Sequence, residues 1–146
     1  MMESLFLADD DATAALGRRL AALLNPGDIV LLEGDLGAGK TALARTIIRT
    51  LVGDAALDVP SPSFALVQPY EAGGRPLLHA DLYRISDPRE VDELGLFDRE
   101  DAIVLVEWPE RSDEVVAAAT VRVTLAVPAG GEGRNATVDF ADGRGG

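Results

Sequence analysis

The side chains of this protein that could do chemistry begin with one contiguous run, Gly34-Asp35-Leu36-Gly37-Ala38-Gly39-Lys40-Thr41. It fits the phosphate-cradling pattern of glycine, four residues, then Gly-Lys-Thr. Glycines let successive backbone N–H groups turn inward around an anion. A helix starting near Lys40 would aim its unpaired N–H groups and its dipole at the same anion. Lys40 can reach β- and γ-phosphates, and the Thr41 hydroxyl can ligate Mg²⁺. Gly34, Leu36, Gly37, Ala38, Gly39, Lys40 and Thr41 are therefore the expected nucleotide contacts. A glycine-rich turn matched by chance is the alternative, but it leaves the strand-like run before the loop and the helical pattern after it unexplained. The loop alone predicts binding, not a reaction.

Hydrolysis or phosphoryl transfer also needs a carboxylate for a metal and a group that places the nucleophile. Glu107 follows the apolar run Ile103-Val104-Leu105-Val106. Ligands gather at the carboxyl ends of strands in open α/β sheets, so Glu107 can meet a metal or its water there. It can equally be a surface acid opening a loop. Asp81, within His79-Ala80-Asp81-Leu82-Tyr83-Arg84, could supply a second carboxylate. Strand alternation puts His79, Asp81 and Tyr83 on one face, and Ala80, Leu82 and Arg84 on the other. His79, the only histidine, reads more readily as a structural residue than as a catalyst. Ser61-Pro62-Ser63 offers two hydroxyls beside a rigid proline, an ordinary loop composition. Trp108, the single tryptophan, reads as core or interface, with a place beside a nucleotide as the alternative.

The elements that must position these residues follow from periodicity. Residues 4–8 suit a short strand. Asp9-Asp10-Asp11 then offers N-cap and first-turn acids to a helix whose stripe is Leu16, Leu20, Leu23 and Leu24. Asn25-Pro26-Gly27 stops it. Ile29-Val30-Leu31-Leu32 suits a strand covered on both faces. Leu43, Ile47, Ile48 and Leu51 form the stripe of the next helix, with Gly53 as its C-cap. Residues 63–84 read as two extended segments joined at Ala72-Gly73-Gly74-Arg75. Asp87-Pro88-Arg89-Glu90 predicts a short helix to about Leu94, closed by Gly95. Ile103–Val106 is a second buried-type strand. Residues 121–127 and 135–141 suit two more strands around Gly130-Gly131.

Length and composition set the frame. A chain of 146 residues with 47% hydrophobic and 26% charged residues supports one packed domain. The expectation is a domain over 1–141 and a frayed tail over 142–146. The fold class expected is α/β: a P-loop NTPase-like three-layer arrangement with a mainly parallel central sheet and C-terminal antiparallel strands. With no cysteine, disulfides and cysteine-based zinc sites are excluded. No run approaches the roughly 18 apolar residues of a membrane span, and the N-terminus lacks signal-peptide character, so a cytoplasmic protein without membrane partners is expected. The net charge of −12 repels polyanions on average, so contact with nucleic acid would need a basic partner.

Taken in order, GDLGAGKT, SPSF, HADLYR and LVEWPER, spanning residues 34 to 111, resemble the TsaE (YjeE) family of small bacterial P-loop ATPases. The resemblance implies ATP and Mg²⁺ as cofactors and TsaB and TsaD as protein partners. It implies a supporting role in making threonylcarbamoyladenosine in tRNA, with tRNA reached only through those partners. It maps Lys40 and the Leu36–Thr41 backbone onto the phosphate site, Thr41, Asp81 and Glu107 onto the metal site, and Trp108 near the nucleotide. Lys40, Asp81 and Glu107 become the catalytic candidates. Ser61, Ser63, His79, Tyr83 and Arg84 become candidates for switch or partner contacts. Ser63 stands where the family usually has threonine, which keeps the hydroxyl and loses a methyl contact.

Two other function classes share the loop. A small metabolite kinase would need an acceptor site and an arginine-rich lid, for which little chain remains. A non-hydrolysing nucleotide sensor would dock to a partner without turnover. A GTPase is disfavoured, because neither Asn25 nor Asn135 lies in an Asn-Lys-x-Asp motif.

Overall fold

The two continuous apolar runs become neighbouring central strands. In the computed structural model, which describes residues 2–144, Ile29–Glu33 forms β2 and Ile103–Glu107 forms β5, paired in parallel. Both faces of these strands are covered, as unbroken runs of large aliphatics require. The sheet has seven strands. β1 (Met2–Leu7), β3 (Val67–Ala72), β4 (Arg75–Asp81), β6 (Val121–Ala126) and β7 (Arg134–Phe140) complete the order β1-β7-β6-β2-β5-β4-β3. The four strands β6, β2, β5 and β4 are parallel, and β3, β7 and β1 are antiparallel to their neighbours. The expected α/β class, with a parallel centre and antiparallel C-terminal strands, holds.

Alternation along the central strands divides the core in two. Val30, Leu32, Leu77 and Leu105 face α1 (Asp10–Leu23) and α2 (Lys40–Val52), meeting Leu16, Leu20, Leu43, Ile47 and Ile48. Leu31, Val104 and Val106 face the opposite layer, where Ile85, Val91, Leu96 and Val115 close the second core. That layer consists of short pieces, including a 3₁₀ segment over Pro88–Leu94 and α3 (Asp113–Ala118). α3 was not expected from the sequence. Its signal is Ser112, whose hydroxyl accepts from Val115 N at 3.3 Å as an N-cap.

The hairpin is shorter than its extended composition suggests. Residues 63–65 form a turn, and Leu66 takes φ +69 with its N–H on Pro62 O at 2.7 Å. β4 stops at Asp81 because its carboxylate accepts from Tyr83 N at 2.9 Å, folding the chain into an Asx turn. The single face expected for His79, Asp81 and Tyr83 therefore holds within the strand only for the first two. The frayed tail expected over 142–146 falls partly on Gly145 and Gly146, outside the described residues. Within the described part, Arg144 donates to Leu23 O at 3.0 Å and pairs with Asp28 at 2.7 Å. No helix among the described residues is long and apolar enough to cross a membrane.

Candidate functional site

The loop between β2 and α2 is shaped by close backbone approaches. A Cβ on Gly34 would stand 2.4 Å from Leu125 O of β6, so no side chain fits there. Gly39 caps α2 in a left-handed conformation, with no side-chain cap and no acid in the first turn. The first-turn N–H groups of α2 are thus left for an external anion. Lys40 is itself buried, at 5% exposure. Its ammonium donates to Gly34 O, lies 3.5 Å from Asp35 O, and sits 3.5 Å from the centroid of the Trp108 ring. Burial pushes the Lys40 amine below its ordinary range, against the raising effect of Glu107, Glu110, Asp81 and Asp35.

The acids arrive from the strand ends. Parallel pairing aligns Leu32 of β2 with Glu107 of β5, and Glu107 with Asp81 of β4. Glu107 is 2% exposed and already engaged twice. Its Oε1 accepts from the Thr41 hydroxyl at 2.9 Å, and its Oε2 contacts His79 Nε2 at 2.6 Å. Against a carboxylate Nε2–H is the donor, and the buried Nδ1 atom has no hydrogen-bond partner among the described residues. Asp81 is pushed above the usual carboxylate range, chiefly by burial and further by the charge of Glu107. The Tyr83 amide, His79 and Lys40 pull the other way without prevailing.

These groups surround a pocket of about 400 Å³. It is lined by the loop residues Leu36, Gly37, Ala38, Gly39, Lys40 and Thr41, by Asp81, Glu107 and Trp108 at the strand ends, and by Ser61, Ser63 and Tyr83. His79 lies behind the pocket, fully buried, and reaches it only through Glu107. Arg84 is not part of the lining; its guanidinium lies 4.1 Å from the Phe64 ring centroid. Trp108 is neither plain core nor free surface, since its indole covers Lys40 and meets the Tyr83 ring at 4.8 Å. Sequence reasoning passed over Arg134, whose guanidinium donates to Gly37 O at 3.0 Å. Its only advance signal was a cation at the start of a strand. A second cavity of similar size, between α1 and α2, is lined by Arg18, Thr46 and Arg49 and contains neither carboxylate nor loop amide.

The donor set suits Mg²⁺ held jointly with phosphate. That ion is usually bound by one or two carboxylates, substrate oxygens and water, and not by an all-protein cage. Among the described residues no three His, Cys, Asp or Glu side chains form such a cage. Thr41, Glu107 and Asp81 supply one hydroxyl and two buried carboxylates beside the loop. A cation there would relieve the burial that raises Asp81.

Comparison with known proteins gives a consistent result. The family model described as Threonylcarbamoyl adenosine biosynthesis protein TsaE matches residues 7–135. The tRNA threonylcarbamoyladenosine biosynthesis protein TsaE of Rickettsia felis is 39% identical over 124 residues, covering 84% of this chain and 72% of that protein. The protein of the same description from Haemophilus influenzae is 34% identical, over 85% and 83% of the two chains. That from Streptomyces coelicolor is 40% identical, over 75% and 76%. Among solved structures, Bacillus subtilis YdiB superposes with a TM-score of 0.72 at 26% identity, covering 97% of this chain and 86% of that one.

Proposed function

The chain belongs to the TsaE family, and from that premise we propose that it is a Mg²⁺-dependent ATPase supporting threonylcarbamoyladenosine synthesis in tRNA. The relatives' names supply the pathway. The family resemblance supports TsaB and TsaD as partners. One observation carries the hydrolase reading: the 2.9 Å hydrogen bond between Thr41 at the loop and Glu107 at the neighbouring strand end. It joins a hydroxyl suited to a metal with a carboxylate suited to orienting water.

In this reading the loop amides and Lys40 bind the β- and γ-phosphates. Lys40 leaves Gly34 O and the Trp108 ring to do so, exchanging two weak acceptors for phosphate oxygens. Thr41, Asp81 and Glu107 would hold Mg²⁺, which when bound neutralises charge developing on the phosphate oxygens. Glu107 accepts a proton from, or orients, the attacking water. His79 holds the second oxygen of Glu107 so that the first stays turned toward Thr41. Trp108 shields the lysine side of the pocket from water.

Glu107→Gln tests this directly. Phosphate release, measured with TsaB and TsaD present, is expected to fall by about a hundredfold or more. Mg-ATP affinity, read by titration calorimetry, is expected to stay within a few-fold of wild type. Unchanged turnover in the variant, or transfer of phosphate to a metabolite instead of water, would refute the hydrolase assignment. Isolated protein is expected to hydrolyse slowly, with partners accelerating it.

A further inference from the structure

The outer side of the phosphate loop is held by a residue 97 positions away in sequence. Gly37 is the loop's tip, and a Cβ built there meets no atom within 4 Å. Behind Ala38 and Gly39 lies a cavity of about 150 Å³, bounded by Asp9, Thr13, Gly133 and Arg134. Side-chain packing therefore does not brace Gly37 itself, although the next residue, Ala38, is buried in the core below it. One directional contact reaches it instead, from the Arg134 guanidinium to Gly37 O at 3.0 Å.

The consequence follows from peptide geometry. The Gly37 carbonyl and the Ala38 N–H share one trans peptide plane and point in opposite directions. The Ala38 N–H donates to Asp35 O at 3.1 Å, closing the turn of the loop from inside. Arg134 holds the same plane from outside. Its own root is tightly placed: in β7 it pairs with Leu7 of β1. The preceding Gly133 has φ +70, and a Cβ there would lie 2.5 Å from the Phe6 ring and 2.7 Å from Leu7 O. A second guanidinium nitrogen donates to Gly133 O. The planar fork is thus seated before any ligand arrives.

We propose that Arg134 is a positioning residue for the phosphate loop: it fixes the Gly37–Ala38 peptide and so presets the loop amides, without touching phosphate itself. The C-terminal hairpin then meets the loop at two points, through Leu125 O against Gly34 and Arg134 against Gly37. The ligand-binding consequence rests on the phosphate-site reading given above; the effect on the loop does not.

The test compares Arg134→Ala, Arg134→Lys and Arg122→Ala, the last removing a hairpin arginine that pairs with Glu33. Hydrogen exchange over residues 36–41 is followed in ligand-free protein. Inorganic tripolyphosphate and ATP, each with Mg²⁺, are then titrated. Arg134→Ala is expected to speed exchange in that segment about tenfold and to weaken both ligands by a common factor of about ten. Arg134→Lys should recover most of both effects, and Arg122→Ala should produce neither. The proposal is overturned by unchanged exchange at 36–41, by equal acceleration across the whole sheet, or by a loss for ATP that spares tripolyphosphate. Accelerated exchange in the variant, with no binding of either ligand by wild type, would sink the phosphate-site reading and leave the positioning role standing.

Discussion

Asp28 and Asp81 are buried to the same degree, 4% and 5% exposed, at opposite ends of the parallel strands. Asp28, immediately before β2, accepts two bonds from Arg144 at 2.7 and 2.8 Å, one from Asn25 N at 2.6 Å and one from the Thr120 hydroxyl at 2.9 Å. Burial works to raise its pKa, yet Arg144, the Asn25 amide and Thr120 together hold it below the ordinary value. Asp81, ending β4, has the Tyr83 amide and a like-charged neighbour in Glu107, so burial prevails and its pKa rises. The difference teaches where each charge finds its compensation. At the amino end of the strands the chain supplies every partner, and the carboxylate is structural. At the carboxyl end the partners are incomplete, and a ligand can complete them.

The sharpest way to break this contrast is at the polar end. Lys40→Ala should weaken Mg-ATP binding by at least about a hundredfold while leaving unfolding free energy nearly unchanged, because a desolvated ammonium contributes little to folding. Titration calorimetry and urea unfolding read the two quantities. A large stability loss with intact binding would invert the assignment of the two ends.

Arg144→Ala should do the opposite. It leaves a buried carboxylate short of its main partner and should cost about 2 kcal/mol in urea unfolding at neutral pH, with ATP turnover unaffected. Because the Asp28 pKa is depressed in the folded protein, its contribution is present above 3.8 and is lost as pH falls through the folded value. The deficit of the variant should therefore close in acid. A deficit that persists there would assign the effect to packing of the arginine stem.

The smallest expected change sharpens the contrast further. Asp81→Asn should modestly raise stability at neutral pH, read by urea unfolding, because it removes a carboxylate whose charged form is disfavoured by burial. The sign is opposite to that of Asp28. With the folded pKa raised above 3.8, the wild-type penalty is full above the folded value, shrinks as pH falls below it, and is gone below 3.8. The advantage of the variant should shrink over that window, while its Mg²⁺-dependent turnover is lost. A variant less stable than wild type at neutral pH would place Asp81 with Asp28 among the structural acids.

Much of the candidate site was legible because its main part is contiguous. Strand, loop and helix over residues 29–52 are announced by an apolar run, spaced glycines and a 3.6-residue stripe. Glu107 could be named from the apolar run it follows, whereas Asp81 was named inside an extended segment expected to run on to residue 84 that the structure ends at Asp81. Residues whose position depends on turns were harder. Tyr83 left the strand because the Asp81 carboxylate captured its N–H, a local competition that alternation does not encode. Ser61 and Ser63 line the pocket beside a turn closed by Leu66 in a left-handed conformation, which a leucine does not announce.

By itself, the sequence determined that a phosphate-type loop would join a buried strand to an amphipathic helix, that the fold would be α/β, and to which family the chain belongs. These depend on residue type and short-range spacing. Only the tertiary structure decided that Thr41 would meet Glu107, that His79 would hold its second oxygen, that Trp108 would cover Lys40, and that Arg134 would reach Gly37. Such contacts span tens of residues and are set by strand order and register. A two-residue alternation says which face a side chain takes, but not which strand will lie beside it.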